Sequence, residues 1–186
     1  MQAARGASLT DEARSGGDKS RIGLVLGVAV AAWVVDVVTK IIVVHQLGDA
    51  PVKVVGSLLQ LHLTRNAGAA FSTGTSMTAA IAIFGCFAFV GVCWLARRVR
   101  STVWAWALGL LLAGISGNLT DRFFRDPGPL RGHVIDFLEL PHWPIFNVAD
   151  ICINVAAALI VIQSGRGVPL SGRRDAGPKD PAEAVR

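Results

Sequence analysis

The stretch IGLVLGVAVAAWVVDVVTKIIVV, from Ile22 to Val44, decides the fold class. A helix needs about 20 consecutive apolar residues to cross the hydrocarbon core of a bilayer, and this run is long enough. It is longer than the apolar core of a secretory signal peptide, and it carries Asp36 and Lys40 with no small-residue cleavage site after it. We therefore predict that this stretch is retained as a membrane-spanning helix.

Three further apolar stretches follow, at residues 77–96, 103–119 and 145–162. The chain of 186 residues is 52% hydrophobic, with a mean hydropathy of +0.51, and 17% of its residues are charged. An average soluble domain has about 25% charged residues. The net charge of +5 is spread over loops and termini and forms no basic stripe interleaved with aromatic residues. These features indicate a membrane protein with four spans and no nucleic-acid partner.

The Lys and Arg residues outside the spans indicate the topology. Four precede the first stretch, three lie between the second and third, and five follow the fourth, whereas the two remaining connections together hold five in longer loops. Short segments rich in Lys and Arg stay on the cytoplasmic side. This distribution predicts a multi-pass membrane protein with both termini in the cytoplasm, and it puts Asp136 and Asp150 at the outer face.

Composition also predicts the domain organisation. Residues 1–20 and 165–186 are rich in Gly, Ala, Ser, Pro and charge, which predicts disordered cytoplasmic tails around a membrane domain at 21–164. The β-prone runs Val52–Val55 and Leu58–Thr64 predict a small extracytoplasmic sheet within about 45–76, and four prolines predict an outer loop at about 121–145. The predicted fold is an all-α polytopic membrane protein with four transmembrane helices and a small β-sheet cradle.

Polar residues recur at helical spacing in three of the four stretches, so each of these helices is predicted to have one polar face. The residues are Asp36, Thr39 and Lys40 in the first, Gly114, Gly117, Asn118, Asp121 and Arg122 in the third, and Asn147, Asp150 and Asn154 in the fourth. Lipid excludes such faces, so they are predicted to point into the bundle. The simplest interpretation of the stripes is that Asn side chains and ion pairs hold the helices together.

This interpretation fits Asp136, in VIDF, and Asp150, in FNVAD, less well than it fits the other polar residues. The basic residues nearby, Arg122 and Lys40, already have acidic sequence neighbours. Two carboxylates without a cation resolve their repulsion by sharing one proton. Such a pair can deprotonate water while protonating a carbonyl, and either aspartate could be the base. The pair therefore predicts hydrolytic chemistry.

Five segments of the chain together resemble the conserved blocks of the lipoprotein signal peptidases, or signal peptidase II family. They are DVVTK at 36–40, RNAGAAF at 65–71, GNLTDR at 117–122, VIDF at 134–137 and FNVAD at 146–150. The resemblance implies an aspartic endopeptidase that removes the signal peptide from diacylglyceryl-modified bacterial prolipoproteins, just before the lipidated cysteine. It also implies a four-helix bundle with an outer β-cradle.

The resemblance places the family's two catalytic aspartates on Asp136 and Asp150. Other recurrent polar positions of the family, expected to bind substrate or to support the catalytic pair, fall on Asp36, Lys40, Asn66, Gly68, Asn118, Arg122 and Asn147. Two roles stay open for Asn118 and Arg122, which either hold the substrate backbone or brace the end of the third helix. The expected partners are the prolipoprotein substrates and membrane lipids, and the protein is expected to function as a monomer.

Two other functions remain as alternatives. Intramembrane Asp, Asn and Arg also mark proton-coupled transporters and channel subunits, but here the ionisable residues cluster at one interface. Gly114–Gly117 reads GISG, which is similar to the nucleophile motif of rhomboid serine proteases with Ser116 as nucleophile, yet no histidine lies within a predicted span. The four histidines fall in predicted loops without HExxH spacing, so neither a metal nor a cofactor is expected.

Overall fold

The computed structural model describes residues 20–48, 50–68 and 77–172. Within these ranges lie four helices long and apolar enough to cross a membrane, which confirms the predicted four-span architecture. The helices are α1 (Ile22–Gln46), α2 (Thr78–Ala96), α3 (Thr102–Phe124) and α4 (Val148–Gly165). Helix α3 continues past its predicted end at residue 119, because Asp121 and Arg122 find buried partners and can remain helical. These two residues therefore belong to the helix and not to the predicted outer loop.

The three strands of the structure form one antiparallel sheet in the order β1 (Val52–Val55), β2 (Leu59–Asn66) and β3 (Val134–Glu139). Strands β1 and β2 confirm the sheet predicted between the first two helices. The prediction of an outer loop is wrong for β3, since the β-branched run VIDF is buried and pairs with β2. Asp136 therefore lies on a strand, opposite Thr64.

Helix α3 packs against α1 on one side and α4 on the other through small residues. A Cβ atom added at Gly109 would lie 2.8 Å from Val28, and one at Gly114 would lie 2.5 Å from the Ala149 carbonyl oxygen. At Gly117 the added atom would collide with the carboxylate of Asp36. Small residues allow membrane helices to approach closely, and here that approach brings polar groups of α1, α3 and α4 together.

Residues just after α4 correct the predicted boundary at residue 165. The Val168 carbonyl accepts a hydrogen bond of 2.9 Å from Trp104 Nε1, and the Leu170 carbonyl accepts bonds from the N–H groups of Arg100 and Ser101. Val168 and Leu170 also pack against the apolar core of α1 and α3. Residues 1–19 and 173–186, which belong to the predicted tails, lie outside the described residues.

The predicted inward-facing stripes are confirmed for α1, where Asp36 and Lys40 are each 1% exposed. On α3, Asp121 and Arg122 are also buried. The prediction is wrong for Asn154, which is exposed on α4. Its amide is satisfied locally by donating to the Asp150 carbonyl at 2.9 Å, so it needs no partner in the bundle.

Candidate active site

Asp136 is buried on β3, and each of its carboxylate oxygens accepts a hydrogen bond from an asparagine. Asn66 Nδ2 donates to Oδ2 at 2.9 Å, and Asn147 Nδ2 donates to Oδ1 at 2.6 Å. Asn66 stands at the end of β2, and its Oδ1 accepts a bond from the Gly68 N–H at 2.9 Å. Strand pairing and this turn after β2 thus aim the Asn66 amide at Asp136.

Asp150 is the third residue of α4 and takes part in the cap of that helix. Its N–H donates to the side chain of Asn147 at 3.0 Å, and its Oδ2 accepts from the Asn147 N–H at 3.1 Å. The Ala149 N–H, one residue earlier, donates to Asp36 Oδ1 of α1 at 2.8 Å. The capping box therefore fixes the position of the Asp150 carboxylate at the N-terminus of α4.

Two asparagine amides connect the carboxylates of Asp136 and Asp150. Asn147 Nδ2 donates to Asp136 and also donates to Asn118 Oδ1 at 3.2 Å. Asn118 Nδ2 in turn donates to Asp150 Oδ1 at 3.0 Å. Residues from β3, α3 and the start of α4 therefore form one hydrogen-bonded set around the predicted pair, and the structure brings both predicted aspartates into it.

Lys40 lies next to this set, where it forms the predicted ion pair with Asp36 and two further contacts that the sequence did not predict. Its Nζ is 2.9 Å from Asp36 Oδ2 and 2.9 Å from Asp121 Oδ2, and it donates to Asn118 Oδ1 at 3.3 Å. The contact with Asp36 Oδ2 is an ion pair without hydrogen-bond geometry. Because Lys40 can only donate, it holds the Asn118 oxygen toward itself and the Asn118 NH2 toward Asp150.

Among the described residues, Arg122 forms no salt bridge with its acidic sequence neighbour Asp121. Asp121 is paired with Lys40 and Arg125 instead. The Arg122 guanidinium donates to the carbonyls of Gly68 at 2.5 Å, Gly132 at 3.2 Å and Ala67 at 3.3 Å. The Arg122 side chain therefore holds the turn that follows β2.

Burial raises the pKa of Asp136 from its ordinary 3.8 to about 6, and the negative charge of Asp150 adds to this effect. The hydrogen bonds from Asn66 and Asn147 and the charge of Lys40 act in the opposite direction but only partly offset burial. The folded protein therefore binds a proton at Asp136 more tightly than the unfolded chain does. The stability contributed by this group is present at pH 4 and is lost as the pH rises to about 6.

We expect Asp136→Asn to remove this pH dependence. The free energy of unfolding of the variant, relative to the wild type, should increase by about 2 kcal/mol between pH 4 and pH 7, which is most of the energy that the raised pKa represents. Unfolding of both proteins in detergent at several pH values measures the difference. A difference that stays constant over this pH range contradicts the expectation.

The structure also places the residues of the alternative functions. The Ser116 hydroxyl donates to the Leu112 carbonyl of its own helix at 2.6 Å. Two histidines do not lie in loops as predicted, since His45 is in the last turn of α1 and His62 is on β2, where it contacts Glu139 at 3.0 Å. Neither His45 nor His62 is therefore hydrogen-bonded to Ser116, as a serine protease mechanism would need.

Comparison with solved structures defines the class of protein. A bacterial membrane enzyme solved by the in meso method at 2.3 Å resolution matches with a TM-score of 0.75 and 25% sequence identity, over 88% of this chain and 99% of that chain. A second bacterial membrane enzyme, solved by the same method at 1.9 Å resolution, matches with a TM-score of 0.70 and 26% identity, over 80% and 96% of the two chains. The fold is that of a small polytopic membrane enzyme.

Residues 28–166 match the family model described as Signal peptidase (SPase) II, and the chain belongs to this family. The lipoprotein signal peptidase of Mycobacterium tuberculosis (strain ATCC 25618 / H37Rv) is 43% identical over 176 residues, which cover 90% of this chain and 87% of the relative. That of Leifsonia xyli subsp. xyli (strain CTCB07) is 45% identical over 168 residues, covering 88% and 78%. These matches confirm the resemblance and do not favour the transporter or rhomboid alternatives.

Proposed function

We propose that this protein is an aspartic endopeptidase that cleaves the signal peptide from diacylglyceryl-modified bacterial prolipoproteins, just before the lipidated cysteine. Membership of the signal peptidase II family supports the peptidase activity, and the names of the relatives support the lipoprotein substrate. The observation that carries the aspartic mechanism is the asparagine set that joins Asp136 and Asp150. It holds two carboxylates, one on β3 and one in the first turn of α4, around one centre.

Asp150 is the proposed base and Asp136 the proposed acid. Burial raises the pKa of Asp136 so that it retains a proton more readily, which leaves Asp150, at the N-terminus of α4, as the base. Asp150 takes a proton from water as the water oxygen attacks the scissile carbonyl carbon, and Asp136 donates its proton to the carbonyl oxygen. The C–N bond then breaks. Asp150 passes its proton to the leaving amine, and Asp136 recovers its proton from the new carboxyl group.

The other polar residues divide into two proposed roles. Asn118 and Asn147 position the catalytic pair, because their amides already bond to the carboxylates. Asn66 also bonds to Asp136, and, together with Gly68 in the turn that follows β2, it is the proposed contact for the substrate backbone. Arg122 holds this turn in place. Asp36 and Lys40 support the pair indirectly, because Asp36 accepts from the Ala149 N–H and Lys40 donates to Asn118.

The proposed location is the outer face of a bacterial plasma membrane, with both termini in the cytoplasm. The distribution of Lys and Arg supports this orientation. The residues of the site come from α1, α3, α4, β2 and β3 of one chain, which supports function as a monomer. Acyl chains of the substrate can reach the site laterally through lipid, so that lipidation brings the scissile bond to the depth of the carboxylates.

A cleavage assay with matched peptides tests this proposal. Purified protein in detergent is given a lipobox peptide with a diacylglyceryl cysteine and the same peptide without the lipid. We expect hydrolysis immediately before the modified cysteine, identified by mass spectrometry, and cleavage of the unlipidated peptide that is slower by about a hundredfold or more, since each buried methylene contributes about 0.8 kcal/mol. Failure to cleave the lipidated peptide, or equal cleavage of both, contradicts the proposal.

A further inference from the structure

A cavity with several charged residues in its lining lies on the opposite side of the sheet from the candidate active site. We name it the arginine cavity; it has a volume of about 500 Å³, and its lining includes Val44, Arg65, Phe124, Arg125, Asp126 and Ile135. Arg65 is paired with Ile135 between β2 and β3, whereas Asp136 is paired with Thr64. Successive residues of a strand face opposite sides, so Arg65 and Ile135 face away from the Asp136 side. The cavity is therefore separate from the carboxylate pair.

The arginine cavity lies at the level where two membrane-spanning helices end. Val44 is close to the end of α1, and Phe124 is the last residue of α3. The Phe124 side chain is 86% exposed, and the neighbouring residues Ile41 and Ile42 of α1 are also exposed. The ends of membrane-spanning helices lie near the lipid headgroups, with apolar side chains toward the acyl region. A molecule in this cavity would have a polar end among the charged residues and an apolar end along the helices.

The charged groups of the cavity have unused hydrogen-bonding capacity. Arg65 is exposed and takes part in no ion pair with a described residue. Arg125 donates to Asp121 through Nε, and within the described ranges its two terminal nitrogens form no hydrogen bond. A guanidinium pairs with phosphate through two parallel N–H groups. Asp126, which is exposed, adds a carboxylate to the same lining, and His133 adds an imidazole.

We propose that the arginine cavity binds a membrane phospholipid whose headgroup carries a phosphate and a primary ammonium group. Arg65 and Arg125 receive the phosphate, Asp126 receives the ammonium, and the acyl chains lie against Val44 and Phe124. The presence of both charge signs favours this zwitterionic headgroup over a purely anionic one. The bound lipid contacts Arg65 and Ile135, the chain neighbours of Asn66 and Asp136, and so it supports the two strands that carry part of the active site.

Native mass spectrometry of the delipidated full chain in detergent tests the proposal. The probes are phosphatidylethanolamine, phosphatidylglycerol and phosphatidylcholine with the same acyl chains, together with free phosphoethanolamine. We expect phosphatidylethanolamine to bind most tightly. Arg65→Gln should weaken its binding by about tenfold or more, because a charge-assisted hydrogen bond is lost. Asp126→Asn should remove the preference for phosphatidylethanolamine over phosphatidylcholine while leaving binding of the phosphate.

The matched control is Arg131→Gln, which removes an exposed arginine from the turn before β3 and outside the cavity lining. This variant should bind phosphatidylethanolamine as the wild type does. Three results would overturn the proposal: equal affinity for the three lipids, unchanged binding by Arg65→Gln, or free phosphoethanolamine binding as tightly as the lipid. Thermal unfolding of each variant without added lipid verifies that it is folded, which is expected because Arg65, Asp126 and Arg131 are exposed.

Discussion

Replacing either Asp136 or Asp150 with asparagine is expected to abolish cleavage of a lipidated prolipoprotein peptide while the protein remains folded. Each substitution removes one group that exchanges protons with the substrate, and such a group contributes about 10²–10⁴-fold to the rate. Asparagine retains an oxygen that can accept from Asn66 or Asn147, so the local structure keeps part of its hydrogen bonding. Single-turnover rates measured with the lipidated peptide provide the comparison.

The matched control is Glu139→Gln on β3, the same strand that carries Asp136. Its carboxylate contacts His62 away from the asparagine set, so the variant should cleave within about twofold of the wild type. Thermal unfolding in detergent verifies the fold of all three variants. A folded Asp136→Asn or Asp150→Asn protein with normal turnover would rule out the aspartic mechanism, although the peptidase assignment from the family would stand.

Lys40→Met is expected to lower both stability and turnover. Lys40 is 1% exposed and compensates the buried carboxylates of Asp36 and Asp121, and removal of one partner from a buried ion pair costs about 3–5 kcal/mol. It also orients Asn118, whose amide donates to Asp150. Lys40 is a positioning residue in this scheme, so kcat should fall while KM changes little. Unfolding in detergent and steady-state kinetics measure the two effects.

A second variant separates the role of Lys40 in positioning from its role in stability. Lys40→Met combined with Asp121→Asn removes one charge of each sign and should recover part of the lost stability. Turnover should stay low, because Asn118 still lacks its partner. Lys53→Met, on the exposed strand β1, is the control for loss of a lysine and should behave as the wild type. Recovery of full turnover in the double variant would show that Lys40 serves stability alone.

The four helices and the first two strands were predictable, because each depends on a pattern within a short segment. Apolar length indicates a span, and helical spacing placed Asp36 with Lys40 on one face. The resemblance, however, supplied what spacing could not, which is the prediction that Asp136 and Asp150 form the catalytic pair although they stand in different elements. The strand β3 was missed because its partner β2 is distant in sequence, and Asp136 interrupts an otherwise apolar run.

The partners of the charged residues depended on the packing of helices that are far apart in the chain. Asp121 is the acidic sequence neighbour of Arg122. The close approach of α1 and α3 at Gly117, however, allows Asp121 to form an ion pair with Lys40 instead. Arg122 is then directed to the carbonyls of the turn after β2. Local patterns thus predict which polar groups are buried, because an apolar segment lies in the membrane and its polar face must point into the protein. Which buried groups meet is decided by helix contacts in three dimensions, and those contacts place Asn118 and Asn147 between the two carboxylates.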